Sequence, residues 1–76
     1  MSVVVKEIQT SGMNCPMPLL KAKQALNSVN SGEQIKVIAT DRGSWRDFSV
    51  FAERSGHILI NAIEENGVYS YWLEKK

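Results

Sequence analysis

The amino-acid sequence predicts an α+β fold, a two-layer α/β sandwich in which a four-stranded mixed sheet carries both helices on one face. Strand and helix patterns follow one another in the order βαβαββ. Strand-helix-strand connections of this length form right-handed parallel crossovers, and two crossovers of the same hand place both helices on one face. An Asn-Gly pair between the last two strands predicts a hairpin turn. We therefore expect a single domain over residues 1–76.

The first half of the chain predicts a strand, a helix and a second strand. Residues 3–8 form a short segment rich in β-branched side chains, and a Thr-Ser-Gly turn follows at 10–12. From 16 to about 29, apolar residues recur every three or four positions, as in an amphipathic helix, and Asn-Ser-Gly at 30–32 ends it. Residues 34–40 have little polarity on either face, so we expect a central strand. The apolar stripe of the helix comprises Leu19, Ala22, Leu26 and Val29.

The second half predicts a short helix followed by two strands. Ser44, with Asp47 three positions later, resembles a capping box at a helix N-terminus. This helix should end at Ser-Gly, residues 55–56, and the two strands are expected at 58–63 and 68–73. The apolar stripe of this second helix comprises Phe48, Phe51 and Ala52.

Composition excludes several classes of function. The 76 residues include one cysteine and one histidine, and the formal net charge is +1. A single cysteine excludes an internal disulfide, and one Cys with one His cannot supply the four ligands of a structural zinc site. A chain this short also has little room for a buried cofactor, so we expect neither metal nor cofactor. Residues 1–8 are too short for a signal peptide or a membrane span, and we expect a cytoplasmic protein.

The residues best suited to chemistry form the run Gly-Met-Asn-Cys-Pro-Met-Pro at positions 12–18. Proline favours the first helical position, so Pro16 would make Cys15 the N-cap residue, beside the free N–H groups of the first turn. This position stabilises a thiolate, and we expect a lowered pKa for Cys15. Pro18 has no N–H, which leaves the N–H of Met17 as the main donor to the sulfur. The two prolines thus favour an outward, nucleophilic thiol.

Topology predicts the neighbours of this thiol. In parallel strand-helix units, strand carboxyl ends and helix amino ends share one edge of the sheet. The same edge should therefore carry Ser44 and a set that we call the docking rim: Asp41, Arg42, Trp45 and Arg46. An arginine beside the sulfur would favour the thiolate, and Trp and Arg are frequent interface residues. The alternative is that both arginines are solvated and Trp45 packs locally.

His57 invites comparison with the base of a Cys-His dyad, but the topology opposes this. It opens the third strand, which places it at the opposite edge if that strand is parallel to the first two. A strand of five or six residues spans about 17 to 20 Å, far more than the ~3 Å reach of a general base. We expect His57 to be structural.

The run at 12–18 resembles the signature of the TusA/SirA-like family of small sulfur-carrier proteins, Gly-x-x-Cys-Pro-x-Pro at the start of the first helix. The resemblance covers nearly the whole chain, with further matches at Leu26, Gly32-Glu33, Asp41, Asp47 and Gly56-His57. It implies a sulfurtransferase-like relay: Cys15 would receive sulfane sulfur as a persulfide from a cysteine desulfurase and hand it to a downstream acceptor protein. tRNA thiolation, molybdoenzyme maturation and related sulfur metabolism all remain open as the pathway.

Two other functions remain open from the sequence. One is an RNA- or protein-binding regulatory module with an incidental thiol, since similar two-layer folds bind RNA. The other is a thiol redox sensor. The relay is the leading hypothesis, because a thiol with neither a second cysteine nor a nearby base cannot complete a hydrolytic or redox cycle within its own chain. The near-zero net charge predicts no stable binding to nucleic acid or to membranes.

Overall fold

A computed structural model describes residues 4–76, which adopt the predicted α+β sandwich with the element order βαβαββ. Val3, where the first strand was expected to begin, lies outside the described residues. The six elements are β1 Val4–Thr10, α1 Met17–Asn27, β2 Gln34–Ala39, α2 Ser44–Ser55, β3 Ile58–Glu65 and β4 Val68–Glu74.

The strands form one mixed sheet in the order β1-β2-β4-β3. β1 and β2 are parallel, whereas β4 is antiparallel to both of its neighbours, β2 and β3. β3 therefore runs in the same direction as β1 and β2. The carboxyl ends of these three strands meet at one edge, and β2 takes the central position that its low polarity predicts.

The core lies between the sheet and the two helices that cover one of its faces. Phe48 of α2 stacks on Tyr71 of β4, with ring centroids 4.2 Å apart, and neither side chain is exposed. The stacked pair fixes α2 over the middle of the sheet. The other buried apolar residues come from α1, from the turn that follows it and from alternate positions of the two central strands: Ala22, Ala25, Leu26, Val29, Ile35, Val37, Ala39 and Leu73.

Glycine ends α2 and closes the last hairpin, as the sequence predicts. Gly56 follows α2 with φ 85°, and its N–H donates to the carbonyl of Ala52. Asn66 and Gly67 join β3 to β4 with φ of 51° and 82°, the left-handed pair expected for a short hairpin. Neither helix among residues 4–76 has the length and apolar character needed to cross a membrane.

Candidate functional site

Cys15 lies in the loop between β1 and α1, at the carboxyl edge of the sheet, and its side chain is exposed. Two side-chain hydrogen bonds fasten the start of this loop to β2 and its exit. The Thr10 hydroxyl donates to the carbonyl of Ile38 at 2.6 Å, and the N–H of Gly12 donates to the Thr40 hydroxyl at 2.8 Å. The loop is thereby held against the residues that follow β2.

The first helix begins one residue later than predicted, which changes the surroundings of the thiol. Pro16 is the N-cap residue, because its carbonyl accepts the first helical hydrogen bond, from the N–H of Leu20 at 3.0 Å. The N–H of Met17 donates to the carbonyl of Asn14 at 2.9 Å instead of to sulfur. The predictions that Cys15 is the N-cap and that Met17 is its donor are therefore wrong.

The two prolines differ in burial. Pro18 is buried in the first turn of α1, where N–H groups have no acceptor within the helix, so its missing N–H removes no helical bond. Pro16 is exposed beside Cys15, and the peptide bond between the two is cis. In the Cys-Pro-Met-Pro segment, the Pro18 ring is thus buried in the fold while the Cys15 thiol is exposed to solvent.

The thiol of Cys15 donates to a carboxylate. Its Sγ lies 3.1 Å from Oδ2 of Asp47, in the first turn of α2. Asp41 completes the cluster, in which the candidate ligand atoms of the three residues lie within 4.8 Å of one another. The hydrogen bond to Asp47 is the main cause that raises the pKa of Cys15, and the negative charges of Asp47 and Asp41 act in the same direction. The predicted lowering of this pKa is therefore wrong.

A buried hydroxyl pair holds the main chain at Asp41. Ser44 Oγ donates to the main-chain carbonyl of Asp41 at 2.6 Å and lies 2.6 Å from the Tyr71 hydroxyl. Because Ser44 has one hydroxyl proton, the Tyr71 hydroxyl is the donor to Ser44. The carboxylate Oδ2 of Asp41 is buried and accepts no hydrogen bond from residues 4–76. The loop after β2 is thus tied to the central strand β4.

The predicted capping box at α2 is absent. The N-cap residue is Gly43, with no side-chain hydrogen bond, and its carbonyl accepts from the N–H of Asp47 at 3.1 Å. Ser44 lies inside the helix and is 1% exposed, so it does not belong to the accessible edge. The Asp47 side chain makes no capping hydrogen bond and instead accepts the hydrogen bond from the Cys15 thiol. One signal could have indicated this: the first turn of a helix at the carboxyl edge lies close to the loop that carries Cys15.

The docking rim does not surround the thiol as a unit. Asp41 lies in the thiol cluster, whereas Arg42 and Trp45 line an open groove of about 540 Å³ with Glu64 and Tyr69. Trp45 is 45% exposed, although its ring packs 6.1 Å from that of Tyr69. Of these three rim residues, only Asp41 lies beside Cys15, and the other two lie in a separate groove.

Arg46 lines a second open groove, of about 550 Å³, between the two helices. Its neighbours there include Lys23 and Arg54. Neither rim arginine forms an ion pair with the described residues, whereas Lys36 pairs with Glu7. The charges that act on Cys15 come from aspartates, and no arginine is among the causes that shift its pKa. Of the two alternatives, solvated arginines agree better with this structure.

His57 lies at the opposite edge of the sheet, as the topology predicts. The strand register places it near the amino end of β2. Its Nδ1 accepts a hydrogen bond from the N–H of Lys76 at 3.2 Å, and its ring centroid lies 5.7 Å from that of Phe51. Burial, followed by the charges of Lys76 and Lys75, lowers the pKa of His57. The arrangement does not provide a base for Cys15.

The cluster of Cys15, Asp41 and Asp47 is the one group of at least three metal-capable side chains within residues 4–76. It offers three ligands, whereas a structural zinc site uses four. The thiol is already engaged by Asp47 at 3.1 Å. We assign no metal to this group and interpret it through its hydrogen bond and its charges.

Comparison with known proteins gives one consistent result. The sequence profile described as Sulfurtransferase TusA matches residues 6–75. Sulfur carrier protein TusA of Allochromatium vinosum is 44% identical over 92% of both chains. Sulfur carrier protein TusA of Pseudomonas putida (strain W619) is 38% identical over 91% of this chain and 86% of the relative. A crystal structure of a SirA-like protein from Desulfitobacterium hafniense superposes with a TM-score of 0.79 and 25% identity, over 92% of this chain and 96% of that one. The fold is thus shared with that SirA-like protein. The profile spans both helices, most of the sheet and the Cys-Pro-Met-Pro segment, and this chain therefore belongs to the TusA family.

Proposed function

We propose that this protein is a sulfur carrier in which Cys15 accepts sulfane sulfur as a persulfide from a cysteine desulfurase and passes it to a downstream acceptor protein. The observation that supports this most directly is a single exposed cysteine in a loop fastened to the sheet. The sequence has no second cysteine to resolve a persulfide, and its one histidine is at the other edge. A thiol of this kind depends on partners for the rest of its chemistry.

The first transfer is an exchange at sulfur. The Cys15 thiolate attacks the outer sulfur of the donor persulfide, a new S–S bond forms, and the S–S bond of the donor breaks. The donor cysteine leaves as a thiolate, and the proton lost from the Cys15 thiol goes to solvent. In the second transfer a nucleophile of the acceptor attacks the outer sulfur on Cys15, which regenerates the carrier. Both steps conserve electrons within the reacting sulfur atoms and use no cofactor.

The proposal assigns residues 1–76 to a single carrier domain that works in a reducing compartment, the cytoplasm. Its acceptor belongs to tRNA thiolation, molybdoenzyme maturation or related sulfur metabolism. Pro16, Met17 and Pro18 support the loop that carries Cys15. Contact with partners is proposed through the docking rim, with stable binding to nucleic acid or membranes playing no part.

Intact-protein mass spectrometry after incubation with a cysteine desulfurase and cysteine tests the proposal. We expect wild type to gain the mass of one sulfur atom, and we expect a reductant wash to remove it. Cys15→Ser and a reaction without cysteine should show no gain. An equal gain in Cys15→Ser, or no gain in wild type with several active desulfurases, would contradict the proposal. RNA affinity that falls steeply with salt and is unchanged in Cys15→Ser would instead favour the binding module.

A further inference from the structure

Two carboxylates lie beside the thiol, and neither forms an ion pair with a described residue. Cys15 Sγ is 3.1 Å from Asp47 Oδ2, and Asp41 lies in the same cluster, within 4.8 Å. Lys36 and Glu7 form an ion pair elsewhere on the sheet. Any group that reacts with Cys15 therefore approaches through the field of two negative charges.

The fold keeps these charges in place. Asp47 lies in the first turn of α2, where the positive end of the helix dipole stabilises a carboxylate. The main-chain carbonyl of Asp41 is held by Ser44, which is bonded in turn to the buried hydroxyl of Tyr71. Asp41 Oδ2 has no hydrogen-bond donor within the described residues, so its charge is not satisfied from inside the fold. Asp47 also lines the groove between the helices, with Lys23, Arg46 and Arg54. None of these cations lies within ion-pair distance of its carboxylate, and the lining does not include Cys15.

We propose that Asp47 and Asp41 make Cys15 selective for sulfur donors and acceptors that bring a positive charge to this edge of the sheet. This rests on the proposed function, since it describes which partners exchange sulfur with Cys15. In the free protein the Cys15 thiol donates its hydrogen bond to the Asp47 carboxylate. The negative charges of Asp47 and Asp41 both oppose formation of the thiolate. A lysine or arginine of the partner, placed against the carboxylates, compensates them and releases the thiolate for attack.

The same field disfavours the wrong partners. An anionic group that approaches Cys15 meets two like charges, which raises the barrier to its reaction and reduces its local concentration. In the productive exchange the proton of Cys15 passes to solvent when the cation arrives. Cys15 Sγ then bonds to the outer sulfur of the donor persulfide, and the donor thiolate departs. Asp47 and Asp41 are specificity-determining residues in this scheme.

Two small disulfides of opposite charge test the selectivity in the purified protein. Cystamine carries two ammonium groups, and 3,3′-dithiodipropionate carries two carboxylates. The rate at which each forms a mixed disulfide with Cys15 is measured by mass spectrometry near neutral pH and at low ionic strength. Each rate is divided by the rate of the same disulfide with free 2-mercaptoethanol, which removes the difference in leaving-group pKa. We expect this normalised rate to be at least about tenfold higher for cystamine with wild type. The advantage should shrink steeply at about 1 M salt, where the Debye length is about 3 Å.

Conservative variants assign the effect to the named residues. Asp47→Asn and Asp41→Asn should each reduce the rate ratio by about threefold or more, mainly by accelerating the anionic disulfide. The matched control is Glu53→Gln, which removes one exposed charge from the far part of α2 and should leave the ratio unchanged. Far-UV circular dichroism verifies that each variant is folded. The salt dependence of wild type tests the charge effect even if one variant fails to fold.

Equal normalised rates for the two disulfides in wild type, or a normalised ratio that is unchanged in both aspartate variants, would overturn the inference. These rates require no desulfurase, so the outcome is separate from that of the sulfur-loading experiment. A protein that discriminates between the disulfides but gains no sulfur would retain the selectivity and lose the proposed function. A protein that gains sulfur but shows no discrimination would retain the function and lose the selectivity.

Discussion

Cys15 Sγ donates a hydrogen bond to Asp47 Oδ2 at 3.1 Å, across 32 positions of the sequence. The bond connects the loop after β1 to the first turn of α2. Because it raises the pKa of the thiol, the thiolate fraction of the free protein at neutral pH is smaller than that of an ordinary cysteine. Cysteines that face helix N-terminal N–H groups behave in the opposite way, since their thiolates are stabilised. The reactivity of Cys15 therefore depends on what approaches these carboxylates.

Replacing Asp47 should make the free thiol more reactive toward an uncharged reagent. Asp47→Asn removes the main cause that raises the pKa of Cys15, so this pKa should fall and the thiolate fraction at neutral pH should rise. Each unit of pKa changes that fraction about tenfold, while nucleophilicity falls less steeply, with a Brønsted slope of about 0.4 to 0.5. We expect iodoacetamide to alkylate the variant a few-fold faster near neutral pH.

The alkylation rate measured as a function of pH separates this effect from a change in exposure. The profile of Asp47→Asn should shift to lower pH, whereas the profile of Glu53→Gln should coincide with that of wild type. A uniform rise in rate at every pH, without a shift, would mean that Asp47 shields the thiol rather than controlling its ionisation.

Removing the buried hydroxyl of Ser44 should destabilise the fold and loosen the loop that carries Asp41. Ser44 is 1% exposed, and its Oγ lies 2.6 Å from both its acceptor and the Tyr71 hydroxyl. Ser44→Ala leaves these polar groups without a partner, at a cost of about 1 to 3 kcal/mol. Urea unfolding of Ser44→Ala, Tyr71→Phe and the double variant forms a double-mutant cycle. Additive losses would show that the two hydroxyls do not stabilise each other.

Gly67→Ala should weaken the last hairpin through the backbone alone. Gly67 has φ 82°, and a Cβ added there would meet no atom within 4 Å. The cost of about 1 to 2 kcal/mol then comes from the left-handed conformation and not from a steric clash. Asn66→Gly at the neighbouring position, where φ is 51°, should cost much less. The midpoints of urea unfolding give the comparison, and equal losses for the two variants would contradict the conformational argument.

His57 should contribute a pH dependence to stability in mildly acidic solution. Burial lowers its pKa in the folded protein. The unfolded chain therefore takes up a proton first as the pH falls below about 6.5, and stability decreases through that window. His57→Gln should remove this component. Unfolding midpoints measured above and below the window test it, and an identical pH dependence in the variant would show that His57 does not cause it.

The fold could be predicted from the sequence because the patterns that indicate its helices, strands and turns are local. Apolar spacing identified both helices, and Asn66-Gly67 identified the hairpin from two residues whose positive φ values the turn requires. Low polarity also placed β2 at the centre of the sheet. These signals depend on near neighbours in the sequence, and the parallel crossovers then constrain which edge carries each loop.

The neighbours of the thiol could be predicted only in part from the sequence. Topology placed Cys15 and Asp41 at one edge correctly, but the sequence cannot show the side-chain direction of Asp47 or the one-residue shift in the start of α1. That shift results from the hydrogen bond between Leu20 N–H and the Pro16 carbonyl. Ser44 was misassigned for a related reason, since its hydroxyl is bonded to a tyrosine 27 positions away. Contacts of this kind depend on the assembled fold.

The position of β4 has a consequence for biosynthesis. It is the last strand of this sheet to be synthesised, yet it lies between β2 and β3, and within residues 4–76 β3 pairs with no other strand. A nascent chain on the ribosome therefore cannot complete its sheet until β4 has emerged, and β2 exposes an unpaired edge until then. Tyr71, which anchors the loop of Asp41 through Ser44, belongs to this late strand. The carboxylates consequently take up their positions around Cys15 only after translation has passed β4.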